Sequence, residues 1–196
     1  MKFEVKQNEL INAINIANRA VSKNTNIQIH ELIYFEAKDD RLLLTAFDGE
    51  ITILTSIPAL VKEEGEMAVK ANLFSGIIRK LPNDTVKIEI KDGKINIKSQ
   101  NSNFNLIAFE YFEKQDLTLP DTDPIEIAND KLKRSILQTE FATSIDETKL
   151  ALTGILFELK ESYLNMVALD GYRVALKKNK IDYPSAFEDS EFIIPK

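Results

Sequence analysis

Residues 33–54, IYFEAKDDRLLLTAFDGEITIL, lie over residues 155–176, ILFELKESYLNMVALDGYRVAL, without a gap, and the alignment runs on to place 1–54 over 123–176. Nine positions of the quoted stretch are identical, and Asp48-Gly49 falls on Asp170-Gly171. Self-similarity at a spacing close to a common domain length implies tandem copies of one domain, not a solenoid of short repeats.

Working outward from this stretch, each copy opens with a short alternating segment, Lys2–Val5 or Ile125–Ile127, which predicts a strand. A helix follows. In the first copy Leu10, Ala13, Ile14, Ala17 and Val21 fall at helical spacing, with Asn12, Asn15, Asn18 and Arg19 on the other side, so one face is buried and the other is polar. In the second copy Leu132 and Ile136 mark the apolar side, and Asn129 and Asp130 are the expected caps. A third, shorter unit lies between the two: Met67-Ala68-Val69, a helix from Asn72 to Leu81, strands Val86–Ile90 and Ile95–Lys98, and a further strand from Phe104 to Phe109. Asp92-Gly93 predicts a two-residue hairpin, because both turn positions need positive φ. The closing Glu191–Lys196 matches Met67–Lys70 and reads as the opening strand of a fourth unit. A chain ending there leaves an apolar face uncovered, so a truncated chain or proteolytic fragment is expected. The Pro and Asp cluster Leu119-Pro120-Asp121-Thr122-Asp123-Pro124 is the expected linker.

Composition narrows the classes. A chain of 196 residues, 44% hydrophobic and 29% charged, can bury one good core or two small ones and lacks the signature of disorder. The longest apolar runs, such as Leu42-Leu43-Leu44, fall far short of the roughly 20 residues needed to cross a bilayer. The opening Met1–Lys6 alternates charge with apolar residues and does not read as a signal peptide. With no Cys there is no disulfide framework or thiolate site, in keeping with a cytoplasmic protein. The net charge of −6 argues against tight phosphate binding, but it is unevenly spread: segments 8–22, 71–80 and 129–142 carry six basic and three acidic residues. A solvated polar helix face accounts equally well for each of these basic residues taken singly.

The opening Met1-Lys2-Phe3, the segment Arg79-Lys80-Leu81-Pro82, the stretch Leu152-Thr153-Gly154-Ile155-Leu156-Phe157-Glu158, and Asp170-Gly171-Tyr172-Arg173-Val174-Ala175-Leu176 together resemble the bacterial DNA polymerase III beta subunit, the sliding clamp. The resemblance spans essentially the whole chain. It implies an α+β class and a DNA-clamp fold of repeated β-α-β-β-β units, with antiparallel sheets outside and helices on the inner face. It implies clamp domain 1 over residues 1–119, the first half of domain 2 over 120–196, and no third domain. The implied role is that of a non-catalytic processivity factor with no cofactor and no metal, closing head to tail as a homodimer ring around double-stranded DNA when full length. Partners would be the polymerase catalytic subunit and the clamp loader, bound through short apolar, glutamine-containing peptide motifs. DNA-facing residues would be Arg19, Lys23, Asn24, Arg79, Lys80, Lys131, Lys133, Arg134 and Lys149. The loop Lys23-Asn24-Thr25-Asn26 departs from the family pattern, in which an Arg precedes a Pro-containing run, and Asp146 stands where relatives usually carry a neutral amide. Leu152, Leu169, Gly171, Tyr172, Arg173 and Val174 would form the peptide pocket, and Ile77, Leu81 and Phe104 the ring-closing edge, although ordinary core accounts equally well for these three. Read from the residues alone, Asp170-Gly171 is simply a strand turn, since Asp48-Gly49 makes the same turn with no pocket implied.

A search for catalysis finds little to converge. His30 is the only histidine, and beside Glu31 it reads as a structural or surface residue and not as a ligand. Asp39-Asp40, Glu63-Glu64 and Asp146-Glu147 are acidic pairs in expected loops, and neither a phosphate loop nor a dinucleotide glycine fingerprint occurs. Three readings remain: a DNA-encircling clamp, which is preferred; an interaction scaffold of the same repeats without DNA; and a carboxylate-dependent hydrolase.

Overall fold

The computed structural model describes residues 1–22, 25–109, 125–181 and 189–196. The chain falls into two compact units, Met1–Leu117 and Thr118–Lys196, described separately here. The expected linker lies outside the described residues.

The first unit opens with β1 (Lys2–Lys6) running directly into α1 (Gln7–Ala17). Leu10, Ala13, Ile14 and Ala17 are all buried, as their spacing requires, while Asn12 and Asn15 are exposed. No side chain caps α1; its first N–H, that of Gln7, instead donates to Asp84 O at 2.9 Å. The meander β2 (Leu32–Lys38), β3 (Arg41–Phe47) and β4 (Thr52–Pro58) follows, then β5 (Leu60–Glu63) and β6 (Gly65–Lys70). Next come α2 (Ala71–Lys80), β7 (Thr85–Lys91), β8 (Lys94–Ser99) and β9 (Ser102–Ile107). Leu81 is extended at ψ 151° and ends α2, because Pro82 disfavours a helical predecessor. Asp92 and Gly93 have φ of 53° and 70°, so the expected hairpin forms.

Every pairing is antiparallel, in the sheets β5-β1-β7-β8-β9 and β4-β3-β2-β6. The two halves of this unit exchange their opening strands. β1 leaves its own meander to lie between β5 and β7, with Phe3 opposite Ile88, and β6 crosses back to pair with β2, with Val69 opposite Ile33. One continuous core results, joining Phe3 and Val5 to Leu10, Ile14, Phe35, Leu44, Phe74, Ile78, Ile88 and Ile97. Phe74 of α2 meets Phe35 of β2 edge to face at 5.1 Å, an arrangement that aromatic quadrupoles favour.

The second unit repeats the first half of this plan: α3 (Asn129–Thr139), then β10 (Gly154–Lys160), β11 (Tyr163–Leu169), β12 (Val174–Lys180) and β13 (Ser190–Pro195), in the order β12-β11-β10-β13. β13 takes the place of β6: Ile194 lies opposite Ile155 as Val69 lies opposite Ile33. Gly154 makes this approach possible, since a Cβ there would stand 2.5 Å from Ile194 O.

Two sequence expectations fail here. Ile125–Ile127 forms no strand, because no described strand pairs with it, whereas β1 has both β5 and β7. Neither Asn129 nor Asp130 caps α3: the helix starts at Asn129, and the residue before it, Ala128, has no capping side chain. Polar groups fix α3 from below instead. Ser135 and Thr139 are fully buried; Thr139 Oγ1 donates to Ser135 O at 2.9 Å, and Asn179 Nδ2 of β12 donates to Ser135 Oγ at 2.9 Å. The aligned residues of the first copy are the apolar Ala13, Ala17 and Ile57.

Candidate functional site

The polar face of the first unit is built by two helices that pack side by side. Gln7 Nε2, buried, donates to Ile78 O at 2.8 Å and ties the start of α1 to the last turn of α2. On the outside Arg79 Nη2 donates to Asn15 Oδ1 at 3.3 Å. Arg19, Arg79 and Lys80 are exposed beside Asn12 and Asn15, and Arg79 and Lys80 sit in the last turn of α2, where the helix dipole favours cations. Lys23 and Asn24 lie outside the described residues. In the second unit Lys131, Lys133 and Arg134 are exposed along α3, and Lys149 is exposed in the helical turn Glu147–Leu152. Asp146 opens that turn. Its Oδ1 accepts from Thr148 Oγ1 at 2.7 Å and Thr148 N at 3.0 Å, and these bonds hold its carboxyl below the usual range.

The second constellation stands on the turn between β11 and β12. Asp170 Oδ1 accepts from Tyr172 N at 3.0 Å and Arg173 N at 3.1 Å, and Oδ2 accepts from Arg173 Nε at 2.7 Å. The Tyr172 amide bond is the largest cause that keeps the Asp170 carboxyl below its ordinary value. Gly171 has φ +95°, a conformation that side-chain-bearing residues rarely adopt. Around the turn, Leu152 and Leu169 are half-buried, Val174 is 69% exposed and Tyr172 fully exposed. The structure adds residues that the sequence did not single out. Phe141 lies 5.7 Å below the Arg173 guanidinium, and Leu176 extends the exposed apolar row of Val174 along β12. A period-2 reading of 174–176 signals Leu176; nothing in the sequence signals Phe141.

Comparison with known proteins resolves what family these features belong to. The model of the DNA polymerase III beta subunit, N-terminal domain, matches residues 1–120, and that of the central domain of the same subunit matches residues 126–196. The chain belongs to the DNA polymerase III beta-subunit family. A beta sliding clamp of Bacillus subtilis is 34% identical over 194 residues, covering 94% of this chain and 51% of that protein, and one of Staphylococcus epidermidis is 32% identical over 207 residues. The crystal structure of the Bacillus subtilis DNA polymerase sliding clamp superimposes with a TM-score of 0.92 at 33% identity, covering 100% of this chain and 54% of that one. The chain thus spans about half the length of the beta-subunit relatives it matches.

Within this family framework, the residues of the expected ring-closing edge differ in their surroundings. Leu81 is 6% exposed and belongs to the core, Ile77 packs half-buried against that core, and Phe104 on the edge strand β9 is 39% exposed. Among the described residues no cluster of three or more His, Cys, Asp or Glu could hold a metal ion, and no helix is long and apolar enough to cross a membrane.

Proposed function

We propose that this chain is part of a ring that encircles duplex DNA and tethers a polymerase, with no catalytic step of its own. The observation that carries this reading is the paired-helix surface of the first unit, where Arg19, Arg79 and Lys80 stand exposed among neutral asparagines and Glu9 is the one acidic residue of α1 and α2. A ring that slides needs a weakly positive lining: strong phosphate contacts would arrest it, and acidic ones would repel the duplex. The exposed basic row of α3 supports extending the lining to the second unit. We assign Arg19, Lys23, Asn24, Arg79, Lys80, Lys131, Lys133, Arg134 and Lys149 to the DNA-facing set, and Ile77 and Phe104 to the subunit edge of a homodimer ring, with the buried Leu81 supporting that edge from the core. Residues 1–119 are assigned to the first clamp domain and 120–196 to the second, acting in the cytoplasm.

Leu152, Leu169, Gly171, Tyr172, Arg173 and Val174 are assigned to a pocket for short apolar, glutamine-containing peptides of the polymerase and clamp loader. Apolar walls beside a glycine turn that leaves backbone open, with an arginine to donate to a peptide carbonyl, suit an extended ligand.

The lining is tested by reversing charge at Arg79 and Lys80 together, to Glu, in a chain carrying all three domains. Retention on circular DNA should fall, and its log–log salt dependence should flatten by about 0.9 per lost phosphate contact. Unchanged retention with an intact fold would remove these residues from the lining. Replacing Tyr172 and Arg173 by Ala should weaken binding of a polymerase-derived peptide, and normal binding would discredit the pocket.

A further inference from the structure

The two copies of the glycine turn are the same in backbone and opposite in what covers them. In the first copy Asp48 Oδ1 accepts from Glu50 N at 3.0 Å and Ile51 N at 2.8 Å, and Asp48 N donates to Ile51 O at 3.3 Å. In the second copy Asp170 Oδ1 makes the corresponding bonds to Tyr172 and Arg173, and Asp170 N donates to Arg173 O at 3.3 Å. The strand registers agree, Phe47 opposite Thr52 and Leu169 opposite Val174, and the glycines have φ of +106° and +95°.

Above Gly171 there is open space: an added Cβ would meet nothing within 4 Å. Above Gly49 stands His30, whose Cε1 would lie 3.1 Å from such a Cβ. The imidazole is 9% exposed and meets Phe47 edge to face at 5.3 Å. Its backbone is anchored on both sides, His30 N donating to Ile27 O at 3.1 Å and His30 O accepting from Ser22 N at 2.9 Å. In the alignment His30 corresponds to Leu152 and Phe47 to Leu169, the two apolar walls assigned to the pocket.

From this we infer that His30 is an internal plug: its ring fills, in the first unit, the counterpart of the peptide pocket, and so confines peptide binding to the second copy. The inference rests on the pocket reading above. A bulky planar ring seated on Phe47 closes the approach to the turn that an extended peptide backbone would use, and the single histidine of the chain thereby has a role in specificity that needs neither metal nor proton transfer. Ile27, whose carbonyl accepts from His30 N, and Ile51 of the turn are apolar and exposed at 52% and 54%, so removing the ring exposes a surface of the kind that accepts an apolar peptide.

The test is an amide-resolved NMR titration of the 196-residue chain with a synthetic apolar, glutamine-containing peptide. It uses the unaltered protein, His30→Ala, and His30→Leu, which installs the residue of the second copy and guards against a variant that fails to fold. Saturable shifts at Gly49, Glu50 and Ile51 in either folded variant, absent from the unaltered chain, are the expected result. Two outcomes overturn the plug: those shifts already present in the unaltered chain, or no such shifts in a folded variant. Shifts at Leu169–Val174 report separately on the pocket, so a chain silent at Gly171 sinks the pocket reading without deciding the state of Gly49.

Discussion

Gln7 is the side chain through which the spacing of the two helices in the first unit can be loosened. It is 8% exposed and its Nε2 donates to Ile78 O at 2.8 Å, linking the start of α1 to the end of α2. Gln7→Met keeps the length of the side chain and removes the donor. An orphaned buried carbonyl costs about 1–3 kcal/mol, but Ile78 O also accepts from Leu81 N at 3.2 Å, so the loss belongs near the lower end, about 1–1.5 kcal/mol. At a urea dependence of about 1–3 kcal/mol per molar, the unfolding midpoint of the first unit should drop by roughly 0.3–1.5 M. Gln7→Glu should cost more, because a carboxylate facing a carbonyl repels it. With two units in the chain a single global transition is not assured. Hydrogen exchange at the core amides of the first unit is therefore the appropriate assay, and those amides should exchange faster while the core amides of β10 and β11 do not. If Gln7→Met leaves the exchange of the first unit unchanged, the helix pair is held by its apolar seam alone and the reasoning fails.

Two further outcomes follow from other parts of the fold. Gly154→Ala puts a Cβ 2.5 Å from Ile194 O; overpacking of this kind costs about 1–3 kcal/mol, so amides shared between β10 and β13 should exchange faster than those between β10 and β11, and equal protection would show that β13 adjusts freely. The Asp170 carboxyl is depressed below its ordinary 3.8, first by its bond from the Tyr172 amide. A depressed folded value means the turn is fully stabilised above 3.8 and loosens as pH falls through the lower folded value; the Tyr172 and Arg173 amide shifts should hold steady on acidification to about pH 4 and move only below it.

How much of this was legible in advance depended on whether the information was local. The buried face of α1, the Asp92-Gly93 hairpin and the duplication were readable because each rests on spacing or on a residue's own φ preference. The hairpins at Asp39-Asp40 and Glu161-Ser162 adopt the same positive φ without a glycine; the Asp pair reads as a loop, since Asp tolerates that region, whereas Glu161-Ser162 is set by the ladders on either side and has no comparable residue signal. The alternation at Ile125–Ile127 is strand-like in pattern, but no strand forms there, because a strand also needs a neighbour to bond with. The basic residues of the helices emerge exposed as their positions imply, whereas Phe141 beneath Arg173 and His30 over Gly49 bring together residues distant in the chain, which periodicity cannot register. The buried polar tie of Ser135 to Asn179 was hidden for the same reason.

The exchange of β1 and β6 bears on how the protein is made. β1 is translated well before its partners: β5 and β7 follow only after α1 and the meander β2–β4. Phe3 and Val5 therefore reach their native neighbours only once β7 has been made, and neither half has its full set of strands before the other is present. Once β1 and β6 have crossed, each half clasps an end of its sibling, so the unit is expected to open as a whole and not by peeling from its amino terminus.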